Sequence, residues 1–194
     1  MKIGTKSVLF GAHCFFIHPF MVAIAWWKLY GFPKDPRIWI AFIVHDWGYF
    51  GKPNMDGKEG EKHVELGANI MHWLFDKKAN VYQIGRGRVI LPANWNYWYE
   101  FTLYHSRYYA KTNNQPISKL CVADKYAFCL ENKWFYLLRA TLSGEVYEYM
   151  DLGRKLNRVP YTDKSVWFDH VQDYMYKWTM AHKDNLDDTW TKNE

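Results

Sequence analysis

The sequence predicts an all-α fold in a single domain, and three observations carry that expectation. Apolar residues recur at helical spacing along most of the chain, and strand-like patterning is confined to one stretch. A length of 194 residues is enough for one sizeable core without staples. The first clear helix opens at His18, where Met21, Val22, Ala25 and Leu29 form one stripe that Gly31 and Pro33 end. Asp35-Pro36 opens the next, a carboxylate N-cap followed by proline at the first helical position. That helix is expected to run to about His45. Further helices are expected over 60–77, over 117–131 after Pro116, over 134–150, and over 164–182 behind Thr162 or Asp163. Residues 80–92 are ambiguous. Loops are expected at 48–59, 85–96 and 106–116, where Gly, Pro and Asn cluster, and loops of that length often line a site.

Composition narrows the class of partner. The formal charge is +5, with Lys and Arg scattered apart from Arg86 and Arg88. That balance suits a small anionic substrate and gives no reason to expect a nucleic-acid duplex. Three cysteines, Cys14, Cys121 and Cys129, show no CxxC spacing, which fits reduced thiols and a cytoplasmic location. Cys121 reads as a core residue. Residues 8–27 carry no formal charge and are long enough for a span, but His13, His18 and Pro19 interrupt them, so no membrane partner is expected. A homo-oligomer is left open. Aromatic residues make up 20% of the chain. They suit a core of large rings, while Trp95, Trp98 and Tyr99 are placed to stack a base.

In "AFIVHDWGYFGKP" an apolar run delivers His45 and Asp46 side by side and then breaks at Gly48, Gly51 and Pro53. A buried charge is costly unless it is paired or holds a metal. His18 in "HPFMVA", His45-Asp46 in "FIVHDWG" and Asp124 in "SKLCVADKY" form an ordered set with apolar flanks. This set resembles the HD-domain superfamily of metal-dependent phosphohydrolases over residues 18 to about 130. His63 in "HVELG" and His105 in "LYHSRYY" resemble the extra histidines of members that hold two metals. His72, nine residues after His63, falls on the opposite helix side and reads as a surface or packing histidine.

The resemblance implies a single helical HD-type domain over 1–194, with a metal site between helices and residues 134–182 packing on the core or forming a lid. It implies one or two divalent transition metals held by His18, His45, Asp46, His63, His105 and Asp124, with Asp46 bridging. Imidazole and carboxylate together suit Mn, Fe, Co, Ni or Zn. Such an ion lowers the pKa of its water towards 7 and polarises a phosphoryl oxygen. Asp46, Arg107 and Lys125 are the expected catalytic residues. Lys52, Arg107, Lys111 and Lys125 are the expected phosphate binders, Arg107 because a fork-shaped guanidinium suits phosphate. The expected activity is hydrolysis of a nucleotide or other small phosphate ester.

Two other readings share the ligands. Relatives resembling myo-inositol oxygenase and the phosphonate-cleaving oxygenases use the same ordered set for two irons and oxygen, and a module that only binds a nucleotide is the third. Trp47, Gly48 and Tyr49 depart from the usual small residue and lysine after the HD pair. No GYP occurs and Ser106 follows His105, which argues against cyclic-di-GMP hydrolysis. Glu145, Glu148 and Asp151 recur every third residue and read as a solvated face, a lid or a partner surface.

Overall fold

The computed structural model describes residues 1–56, 58–77, 80–84, 87–91, 96–155 and 162–190. Its helices are α1 (Ile3–Phe10), α2 (His18–Tyr30), α3 (Pro36–Val44), α4 (Val64–Met71), α5 (Tyr97–Leu103), α6 (Arg107–Thr112), α7 (Lys119–Leu130), α8 (Lys133–Ser143), α9 (Glu145–Lys155) and α10 (Lys164–His182). The architecture is all-α, as the periodicity predicts. One small antiparallel hairpin, β1 (Asn80–Ile84) against β2 (Gly87–Leu91), resolves the ambiguous stretch in favour of strands. Trp95 lies outside the described residues.

Local chemistry explains the helix starts. Asp35 accepts a hydrogen bond from the Arg37 amide at 2.9 Å, and Asp163 accepts from the Ser165 and Val166 amides. Helices α1, α5 and α6 stand where no helix is expected. The start of α5 has no local cap. Its Trp98 and Tyr99 amides instead donate to the carboxylate of Asp76, which is 1% exposed. A cap supplied from so far upstream leaves no motif around residue 97.

The helix expected over 134–150 is two helices. Gly144 closes α8 with φ of 91°, the left-handed conformation that ends a helix, and α9 begins at Glu145. Gly144→Ala is expected to cost about 1–2 kcal/mol, because a Cβ penalises that conformation. Urea denaturation should show a lower midpoint at unchanged slope, and Gly144→Asn should lose less.

The main core lies where α2 packs along α7, with α3, α4 and α5 closing around it through Val22, Trp26, Phe42, Met71, Trp98 and Leu120. A second cluster, including Tyr136, Val146, Trp167 and Phe168, joins α8, α9 and α10. Phe128 of α7 links the two halves, its ring 4.9 Å from Tyr136 and 4.8 Å from Phe168. Residues 134–155 and 162–182 thus pack on the motif-bearing helices. Among the described residues no helix is long and apolar enough to cross a membrane.

Candidate metal centre

Five chain segments deliver the six expected ligands to one place. His18 opens α2, His45 and Asp46 end α3, His63 precedes α4, His105 follows α5, and Asp124 sits within α7. All six are buried. Two close approaches of backbone make this possible. A Cβ at Gly48 would collide with the His63 carbonyl, and one at Gly67 with the Val44 carbonyl and the His45 Cα.

The ligand atoms fall into two groups that share Asp46. His18, His45, Asp46 and Asp124 form one, and Asp46, His63 and His105 the other, each with its donor atoms within 4.8 Å of one another. Asp46 turns one oxygen to each side. Oδ2 lies 3.3 Å from His18 Nε2 and 3.2 Å from His45 Nε2, while Oδ1 lies 3.5 Å from both His63 Nε2 and His105 Nε2. Asp124 Oδ1 is 2.9 Å from His18 Nε2.

Three of the imidazoles are oriented in one way. His45 Nδ1 lies 2.9 Å from the Phe42 carbonyl, His63 Nδ1 2.8 Å from the Gly60 carbonyl and His105 Nδ1 2.5 Å from the Thr102 carbonyl. Each partner is three residues back, at a helix end or turn, and the Gly60 and Thr102 carbonyls also accept the backbone amide of the same histidine. A carbonyl only accepts, so each Nδ1 carries a hydrogen, and in the neutral ring Nε2 carries the lone pair.

The Nε2 atoms then face each other in pairs. His63 Nε2 and His105 Nε2 are 3.3 Å apart, as are His45 Nε2 and His18 Nε2. Asp46 Oδ2 is buried with no aligned hydrogen-bond donor. Nitrogens this close around an unsatisfied carboxylate oxygen are costly unless a proton or a metal cation lies among them. The residues therefore fit one ion in each group, with Asp46 shared.

Without ions, protons balance only part of the charge. Burial pulls the His18 and His45 pKa values down, but the neighbouring Asp124 and Asp46 carboxylates outweigh it and raise them to about 9 and about 10. Burial raises the Asp46 pKa, but the adjacent imidazoles, His45 first, bring it well below the usual carboxylate range. Asp124 is lowered likewise, its burial opposed first by Lys125. His63 and His105 are pushed down, chiefly by burial, and stay neutral.

The centre opens into a cavity of about 810 Å³ that runs between α7, α9 and α10. Its far walls are aromatic, with Tyr136, Tyr149, Trp167 and Tyr174. The expected phosphate binders are distributed unevenly. Lys111 and Lys125 line the cavity. Lys125 Nζ is already 2.8 Å from Asp124 Oδ2, so it braces a ligand. Arg107 also lines the cavity, but its fork is engaged: Nε is 2.6 Å from Asp188 Oδ2, and Nη1 donates to the Tyr174 hydroxyl at 3.1 Å. Its guanidinium further lies over the Trp178 ring. Lys52 does not line the cavity. Its carbonyl accepts from the Gly4 amide in α1, so the structure places it apart from the other expected phosphate binders.

His72 lies 3.6 Å from Asp76 and outside both ligand groups, as its helix face predicts. Cys121 is buried in the core, its thiol pushed up to about 12 by burial. Trp98 is a core ring, 2% exposed, and not a free stacking surface. The acidic stripe is not a solvated face. Glu145 is fully buried and Glu148 Oε1 accepts from the Met55 amide at 2.8 Å, leaving Asp151 outside with Arg154.

Two contributors were not legible as site residues. Tyr49 stacks on His63 with ring centroids 3.9 Å apart and planes 8° apart. His13 lines the cavity with Nε2 4.0 Å from Asp46 Oδ2. The only signal for it is a histidine five residues before His18 in "GAHCFFIH". Comparison of the chain with protein-family models, with curated proteins and with solved structures finds no match.

Proposed function

We propose that the chain is a metal-dependent phosphohydrolase of the HD kind, acting on a nucleotide or other small phosphate ester. The observation that carries the reading is the double ligand group around Asp46, with opposed Nε2 atoms 3.3 Å apart in each half. His18, His45, Asp46 and Asp124 would hold one divalent transition metal, and Asp46, His63 and His105 a second. When bound, such ions supply a water activated near neutral pH and a Lewis acid for a phosphoryl oxygen. The protein's own contribution is orientation. Backbone carbonyls fix three imidazoles, and Lys125 braces Asp124. Lys111 and Lys125 bring positive charge to the wall of the cavity, where an anionic substrate would lie.

A second reading, an HD-type diiron oxygenase acting on a small polar substrate, draws support from one observation. Arg107 and Lys125 are paired with Asp188 and Asp124, so less positive charge faces the cavity than a phosphate site usually offers. The discriminating experiment loads the metal-free chain with Mn, Co or Fe and measures phosphate release from a panel of phosphomonoesters and nucleotides beside oxygen uptake. Phosphate release with manganese or cobalt is the expected result. Oxygen uptake confined to the iron form would move the assignment to the oxygenase, and neither activity in any loaded form would leave a binding module.

A further inference from the structure

Outside the six ligands, one buried polar network points at the same centre. Glu145, at the start of α9, is fully buried. Its carboxylate accepts from the Ser7 hydroxyl at 2.5 Å, the Ser143 hydroxyl at 2.6 Å and the Ala12 amide at 2.6 Å. His13, in the turn between α1 and α2, joins this network through Nδ1, which lies 2.9 Å from Ser7 Oγ and 3.4 Å from Glu145 Oε2. The proton inventory fixes its orientation. Ser7 has one hydrogen and gives it to Glu145, so the Ser7 oxygen accepts from His13, and Nδ1 carries the hydrogen. In the neutral ring, Nε2 then presents a lone pair to the cavity, 4.0 Å from Asp46 Oδ2.

Three helical segments meet in the network behind this ring, since Ser7 belongs to α1, Ser143 to α8 and Glu145 to α9; the Glu145 carboxylate also accepts from the Tyr149 hydroxyl. A ring serving only as packing has no need of a buried carboxylate fixing its tautomer. We infer that His13 is a further catalytic residue of the centre: its Nε2 accepts a hydrogen bond from the water that attacks the substrate and so aims that water. This rests on the metal centre proposed above. The ring acts by position and acceptor geometry, and Ser7 with Glu145 are positioning residues behind it.

The test uses three variants of the full chain loaded with cobalt. Asparagine places an amide near the His13 Nδ1 position and keeps the link to Ser7, whereas glutamine reaches the Nε2 position. His13→Ala and His13→Asn are expected to lower kcat about 10²-fold on bis(p-nitrophenyl) phosphate, with KM and bound metal little changed. His13→Gln should recover most of that loss. The visible absorption bands of the bound cobalt should shift in the Ala and Asn variants and return in Gln, a readout independent of turnover. Wild-type behaviour in His13→Asn would overturn the proposal, because a strut to Ser7 would then suffice. Loss of metal in every variant would also overturn it, by making the ring a ligand. Cobalt bands that follow the expected order in a chain that hydrolyses no phosphate ester would retain His13 and discard the phosphohydrolase reading.

Discussion

Asp46→Ala is expected to strip metal from both ligand groups, while His63→Ala empties only the second. The asymmetry follows from the two oxygens of one side chain. Oδ2 serves His18 and His45, and Oδ1 serves His63 and His105. Removing the carboxylate also removes the negative charge that holds two imidazoles in their cationic form in the metal-free chain. Activity should fall by at least about 10²-fold, the scale of losing one preorganised electrostatic group, and by more if both ions leave. Metal per chain, by mass spectrometry on protein purified without tag or chelator, is the measurement. The alanine variants should keep their helical circular dichroism, and His72→Ala should keep full metal because its partner is Asp76. A full metal complement in Asp46→Ala would mean that the two groups do not share a bridge.

How much of this was legible in the sequence depended on the range of the forces involved. Local signals read well. The Asp35-Pro36 cap and the Asp163 cap both formed, because a cap is a contact between residues two or three apart. The six histidines and aspartates singled out by the family resemblance do come together in space, five segments bringing them to one place. What escaped was long-range. The cap of α5 comes from Asp76, and the acidic stripe at 145–151 turns inward because Ser7, Ala12 and Met55 reach it from the other end of the chain. Arg107 was a sound phosphate candidate by type and position, yet Asp188, 81 residues on, takes its fork. Charge type can be read from sequence, but whether a charge is already spent is decided by tertiary pairing.

Metal loading is expected to stabilise the fold, and to do so more strongly as pH rises. At free metal near a hundred times its dissociation constant, binding to the native state alone contributes about 2.7 kcal/mol, a rise in melting temperature of roughly 5–10 °C for a chain of this size. The pH dependence follows from the metal-free state. His18 and His45 have folded pKa values raised to about 9 and about 10 from an ordinary 6.5. Their contribution to metal-free stability is fully present below pH 6.5 and is lost as pH rises through those values. An ion must displace the same protons, and each one displaced makes binding more favourable by about 1.4 kcal/mol per pH unit. Burial keeps His63 and His105 neutral, so they add little proton competition at the second group. Melting curves of metal-loaded and chelator-treated protein should therefore lie closer together at pH 6 than at pH 8.5. A gap that stays constant, or narrows as pH rises, would show that the bound ion displaces no protons from His18 and His45, and that the first ligand group is not where it sits.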